Sequence, residues 1–401
     1  MISQLRRCTK CVLPETHETI MFDEQGVCNI CRQHEYKQTE IDWDARKKDL
    51  DKLVEEYRGK HDYDCIIPFS GGKDSAFTAH YLMREYGLKP LLVRFHHGFL
   101  RPQLYENTRK LIRKLGVDLL DFTANWQAVQ KFMLQSFLEK GDFCWHCHSG
   151  IFAYPMWVAI RYNVPLIFWG EASAEYTSYY QYDEIEEVDE KRFHRFVDLG
   201  ITAQDMYVRL DGAVSERDLK PFTYPPIKEL RKIGCRSVCL GSFIPWDVKN
   251  QVKIIQDELG WQGDEVENVP PENNYEKIEC YLQGVRDYIK YIKRGYTRPS
   301  HLMSLDIRNR RATRSEAMNI VDQYEGKRPH SLDVFLSYVG LTEEEFLDVA
   351  LSHAVSPHQH DPKKMVPGKK PHDYDQWPRY EPMPREQALV QLRRWQQRHN
   401  R

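Results

Sequence analysis

The chain has 401 residues, of which 41% are hydrophobic and 29% charged, and a formal net charge of -2. This balance excludes a disordered chain and supplies no overall positive field, so nucleic acid is disfavoured as a partner. No apolar run approaches the ~20 residues that a bilayer crossing requires, and the opening MISQLRRCTKCVLP lacks a secretion signal; a cytoplasmic protein with no membrane partner is expected.

Residues 1–40 carry two C-x-x-C pairs, Cys8/Cys11 and Cys28/Cys31. Two such knuckles can bring four thiolates to one tetrahedral zinc ion, and so short a segment draws much of its folding free energy from that metal. A helical pattern starts near residue 42. An apolar strand at 63–69 then runs directly into Ser70-Gly71-Gly72-Lys73-Asp74-Ser75 and a further helix. More strands are expected at 90–95, 117–121 and 164–169, with helical stretches between them. This alternation specifies an α/β fold with an open, mostly parallel sheet and helices on both faces. The nucleotide domain is read as 41–260, with an irregular insertion or lid at 176–245. A helical region at 261–355 and an extended tail at 356–401 complete the chain.

The strand–loop–helix at 70–75 has the chemistry of an anion cradle. Gly71 and Gly72 allow close backbone approach, and the helix N-terminus aims unpaired N–H groups at the same point. Ser70 and Ser75 add hydroxyl donors and Lys73 a positive charge, while Asp74 orients the loop or holds Mg²⁺. Arg94, Phe95, His97 and Gly98, at the end of the second strand, are candidates to line the nucleotide pocket. Glu171 closes the fourth strand and faces the cleft beyond the carboxyl ends of the strands. It is a candidate for Mg²⁺, for the nucleophile or for sugar hydroxyls, or else a simple cap or ion-pair partner.

Two groups remain. Cys144, His146, Cys147 and His148 are densely placed before an apolar helix. Either the thiols join Cys235 and Cys239 in a second zinc or an iron–sulfur site, or His146 and His148 meet the substrate, or the group fills core. In the basic stretch at 286–328, Arg294, Arg298 and Arg308 are candidates to bind substrate phosphates; RNA would suit such a stretch as well.

The loop resembles the S-G-G-x-D-S loop of the PP-loop ATP pyrophosphatase superfamily. The C-x-x-C pairs, F-C-W-H-C-H-S-G, W-G-E, Y-I-K-Y-I-K-R-G-Y and S-L-D-I-R-N-R extend that likeness over nearly the whole chain. Together they resemble the N-acetyl sugar amidotransferases of surface-polysaccharide (LPS and O-antigen) biosynthesis. The resemblance implies an enzyme that uses ATP and Mg²⁺ to adenylate the acetamido oxygen of a UDP-linked N-acetyl sugar. Ammonia from a separate glutaminase and cyclase-like protein pair would then replace that oxygen and give an acetamidino sugar, AMP and pyrophosphate. Lys73, Asp74, Ser75, Glu171, His146 and His148 would carry the reaction. Two competing readings are a tRNA-thiolating or other RNA-modifying PP-loop enzyme with an iron–sulfur cluster, and a non-catalytic nucleotide-binding scaffold.

Overall fold

A computed structural model of the chain describes residues 5–177 and 179–399. The thiol-rich N-terminus leads into α1 (Asn29–Thr39), where the Cys28 sulfur accepts the N–H of Cys31 and so caps the helix. In α2 (Trp43–Tyr57), Asp42 accepts from the Ala45 N–H, and Leu50, Leu53, Val54 and Tyr57 form the buried stripe. The chain then alternates: β1 (Cys65–Pro68), α3 (Lys73–Tyr86), β2 (Pro90–His96), α4 (Pro102–Leu115), β3 (Asp118–Thr123), α5 (Trp126–Lys140), α6 (Trp145–Tyr162), β4 (Leu166–Trp169) and β5 (Arg236–Cys239).

The five strands form one parallel sheet in the order β3-β2-β1-β4-β5. Their apolar runs are nearly continuous because both faces are covered. Cys65, Ile67, Leu92, Leu166 and Phe168 pack into one layer with residues of α2, α3 and α4. Their neighbours Ile66, Leu91, Val93, Ile167 and Trp169 pack into the other, against Met156, Val158 and Ala159 of α6. The strand order reverses between β1 and β4, and in open sheets ligands bind in the crevice beyond the strand ends at that point. The loop at 70–75 follows β1 and Gly170-Glu171 follows β4, so the fold itself brings them together.

The expected α/β sheet is present, with two corrections. Strand β5 falls inside the stretch read as an insertion, because four residues with one charged member, Arg236-Ser237-Val238-Cys239, give too short a signal to stand out. Its register is set by β4, with Leu166 opposite Arg236 and Trp169 opposite Cys239. The tail is not extended throughout. Residues Arg385–Arg398 form a helix that buries Ala388, Leu392 and Trp395 in the same core as α5.

The helical half contains α7 (Val248–Leu259), α8 (Gln283–Arg294), α9 (Arg298–Arg308), α10 (Arg314–Tyr324) and, last, α11 (Arg385–Arg398), with further helices between α10 and α11. Val285, Tyr288, Ile289 and Ile292 form the buried face of α8, which leaves its Arg and Lys residues to the cleft. The cysteine module is joined to this half. Arg314 donates to the carbonyls of Cys8 and Cys11 at 3.3 and 3.1 Å, Arg7 reaches Ser300 Oγ at 3.1 Å, and Tyr296 is buried among the four cysteines. Among the described residues no helix is long and apolar enough to cross a membrane.

Candidate active site

At the end of β1 the chain turns through Gly71, whose φ of 85° is a conformation that a Cβ opposes. A Cβ there would also come within 2.8 Å of Thr108 Oγ1. Ser75 Oγ accepts the Gly71 N–H at 3.2 Å and Ser70 Oγ accepts that of Gly72 at 3.1 Å, so the two hydroxyls brace the turn. Lys73 is 3% exposed and lies 2.8 Å from Asp74 and 3.1 Å from Glu276. Burial alone would depress its pKa, but Asp74, Glu276, Glu171 and Glu279 hold it well above the ordinary value. Burial would likewise raise Glu276, but Lys73 leads the charges that hold it down to about 2. The Glu279 carboxylate lies so close over Gly72 that a Cβ there would collide with it.

A cavity of about 340 Å³ opens beside this loop. Ser70, Asp74 and Ser75 line one side of it, and Arg94, Phe95 and His97 at the end of β2 line another. Arg94 is itself held by Asp121 and Thr108, at 3.0 and 3.1 Å. Gly71, Gly72, Lys73 and Gly98 stand behind this lining. Gly98, with φ 105°, lets Trp126 pack against the turn, where a Cβ would meet its ring at 3.1 Å. His146 and His148 line the far side, and His146 Nε2 lies 3.2 Å from the His97 carbonyl. Burial pushes His97 down to about 3, His146 to about 4 and His148 to about 3. All three are neutral at physiological pH.

The second cluster expected from Cys144, Cys147, Cys235 and Cys239 does not assemble. Cys235 precedes β5 and packs beneath the sheet with Tyr63 and Tyr224, away from the cavity, while Cys239 receives a hydrogen bond from Arg192 at 3.6 Å. The cavity is lined by Cys144, Cys147, Cys239 and Cys280, with thiols that burial pushes up, but among the described residues these do not converge as a ligand set. By contrast, the sulfurs of Cys8, Cys11, Cys28 and Cys31 are all buried and lie within 4.8 Å of one another. Four converging thiols are the ligand set of a structural zinc or an iron–sulfur site.

A second cavity, of about 260 Å³, adjoins the first and shares Glu171, Lys277 and Arg286 with it. Arg294 and Arg298 line it, as do Lys290, Lys293 and His301. Arg308 does not: it is buried at the end of α9, donating to the Glu175 carbonyl at 3.1 Å and to Ser304. It braces the segment that follows Glu171 and makes no wall of the cavity. Glu18, from the cysteine module, enters this space, 3.3 Å from Lys290 and 3.5 Å from Arg294. Burial would raise its pKa, but Lys290, His17 and Arg294 hold it well below the ordinary value. Glu171, at the junction, is pushed well above its ordinary value by burial first and Asp74 second. Both burial and the neighbouring carboxylate disfavour its charged form.

The segment Glu276 to Cys280 and the acid Glu18 are the features that sequence reasoning missed. No motif marks them; they reach the site through tertiary packing alone.

Residues 272–383 match the family described as LPS biosynthesis protein WbpG-like, C-terminal domain. That stretch includes Glu276 to Cys280, α8 and α9, and so supplies most of the cationic wall. An uncharacterized protein of Methanocaldococcus jannaschii is 28% identical over 120 residues, 28% of this chain; the chain spans 41% of that relative's length. Among solved structures, a predicted subunit of tRNA methyltransferase from Methanocaldococcus jannaschii aligns with 49% of this chain and 87% of its own, at 17% identity and a TM-score of 0.22. The U34-tRNA thiolase NcsA from Methanococcus maripaludis, with its 4Fe-4S cluster, aligns with 89% of this chain and 99% of its own, at 11% identity and a TM-score of 0.25. The expectation that nucleic acid is disfavoured as a partner stands against this last finding, in which the aligned protein is named for its action on tRNA.

Proposed function

We propose that the chain is an ATP-dependent, AMP-forming enzyme that adenylates the acetamido oxygen of a UDP-linked N-acetyl sugar and replaces it with ammonia-derived nitrogen. The observation that carries this reading is the junction of the two cavities at Glu171, Lys277 and Arg286. The first cavity offers hydroxyls, backbone and neutral rings to a nucleotide, and the second offers Arg and Lys side chains to a diphosphate. The match of residues 272–383 to a family named for LPS biosynthesis supports a sugar-linked substrate, since that segment lines the second cavity.

In this reading the loop at 70–75 holds the pyrophosphate end of ATP, with the base toward Arg94 to His97. Asp74 and Glu171 would hold Mg²⁺, which draws charge toward the leaving pyrophosphate. The amide oxygen attacks the α-phosphorus and pyrophosphate leaves with the bonding pair. Ammonia then adds to the activated carbon, AMP departs with the former amide oxygen, and a proton is lost to give the amidine. Adenylation is needed because an amide carbon is a weak electrophile and its oxygen a poor leaving group.

Incubation with ATP, an ammonium salt and UDP-linked acetamido sugars, followed by mass spectrometry, tests the proposal. The expected product has NH in place of one oxygen, formed with one AMP per turnover. Formation of ADP, or AMP release with no change to any sugar, would refute it. A second reading, sulfur transfer to RNA, is favoured by the presence of Cys144, Cys147 and Cys280 in the lining of the nucleotide cavity. Anaerobic purification of a brown, iron-containing protein that thiolates RNA would select that reading.

A further inference from the structure

One cation at the junction differs from its neighbours. Arg286 lies 3.8 Å from Asp142, and Arg298 lies 3.4 Å from Glu276 and from Asp287. Lys290 and Arg294 pair with Glu18, and Lys293 donates to the carbonyls of Lys140 and Gly141 at 2.8 and 3.0 Å. Lys277 lines both cavities, and among the described residues it has no hydrogen-bond or ion-pair partner. Its backbone has φ 53°, a left-handed conformation that a residue with a Cβ keeps only where its surroundings fix it. Those surroundings are present: Glu276 is held by Lys73 and Arg298, Ile278 is fully buried, and Glu279 lies over Gly72. The turn delivers to the point where the two cavities meet an ammonium that no carboxylate holds in a direct ion pair, although its charge acts to lower the pKa of nearby Glu171 and Glu276.

We propose that Lys277 is the catalytic cation that grips the α-phosphate of ATP during adenylate transfer. The inference rests on the reading of the chain as an AMP-forming enzyme. With pyrophosphate at the loop, the base at the end of β2 and the acceptor oxygen entering from the cationic cavity, the α-phosphorus lies where these three approaches converge. The acceptor oxygen forms a bond to that phosphorus, and the bond from it to the bridging oxygen breaks, its electron pair leaving with pyrophosphate. The Lys277 ammonium holds the charge on the non-bridging oxygens throughout and exchanges no proton. Lys73 is not placed for this role, since Asp74 and Glu276 hold it behind the cavity wall.

Calorimetric titration of the full chain with AMP and with adenosine separates the α-phosphate from the rest of the nucleotide. Lys277→Met is expected to weaken AMP binding about tenfold to a hundredfold and leave adenosine binding unchanged, with Lys277→Arg recovering most of the loss. Lys277→Gly removes the ammonium while relieving the left-handed backbone. It should unfold at the wild-type temperature or above and still lose AMP affinity, which excludes misfolding as the cause. Equal AMP affinity in wild type, Lys277→Met and Lys277→Gly overturns the inference and leaves the AMP-forming reading standing. A wild-type chain that binds neither AMP nor ATP overturns both.

Discussion

The cavity beside the loop at 70–75 and the cationic cavity share a wall at Glu171, Lys277 and Arg286, yet they hold charge differently. The first is floored by Phe95, Phe99 and Ile151 and flanked by histidines that burial keeps neutral. In the second, Arg286 faces Asp142, Lys290 and Arg294 face Glu18, and Arg298 faces Asp287, while burial and Asp74 push the Glu171 carboxyl well above its ordinary value. A purine can be held by shape and backbone without any charge being reorganised. A phosphate-bearing group must instead take over cations already engaged by internal acids, so it is recognised by what it displaces.

The largest expected effect lies where the loop meets the helical half. Lys73→Met leaves buried Glu276 with only the more distant Arg298 at 3.4 Å, and should destabilise the fold by about 3 kcal/mol as well as abolish AMP formation. Adding Glu276→Gln should recover much of the stability, read from urea midpoints, and none of the AMP formation. Recovery of both would show that Lys73 is only a structural counter-ion.

The cysteine module tests whether the two cavities are separable. Cys8→Ser, or removal of metal by a chelator, should loosen the module and release Glu18 and the carbonyls that hold Arg314. Binding of a UDP-sugar should then fall sharply while binding of ATP persists, with metal content followed by atomic emission. Equal loss of both would mean that the module supports the whole fold.

A smaller effect of opposite sign is expected from Glu18→Gln. It removes an acid that competes with substrate phosphate for Lys290 and Arg294, so affinity for the anionic substrate should rise ~threefold to tenfold. A decrease, measured by titration, would make Glu18 a direct substrate contact. A further effect concerns pH. His97, His146 and His148 sit near 3, 4 and 3 in the folded chain, against 6.5 when unperturbed. As pH falls below about 6.5, the unfolded chain takes up protons that the folded chain refuses, so their stabilising contribution is whole above that value and declines beneath it. Urea midpoints should drop from pH 7 to pH 5, and less so in His148→Asn.

What could be read from the sequence follows from how local each signal is. The loop at 70–75 was legible because an apolar strand, two glycines and a helix start are contiguous, and the four cysteines because their spacing alone defines a ligand set. Strand β5 was not, because four mixed residues carry little pattern and its pairing comes from β4. Helix α11 hides its stripe, Ala388, Leu392 and Trp395, among Arg and Gln. Arg308 is one basic residue among many until packing places it against the Glu175 carbonyl. Lys277 carries no motif at all; only the fixed turn between Glu276 and Ile278 singles it out.

The Glu279 carboxylate over Gly72 gives the resting cradle a negative charge of its own. Bare polyphosphate arriving there meets like charge, whereas a nucleotide already wearing a divalent ion brings the means to neutralise it. In the proposed reaction the cradle would thereby favour metal-loaded nucleotide over free polyphosphate.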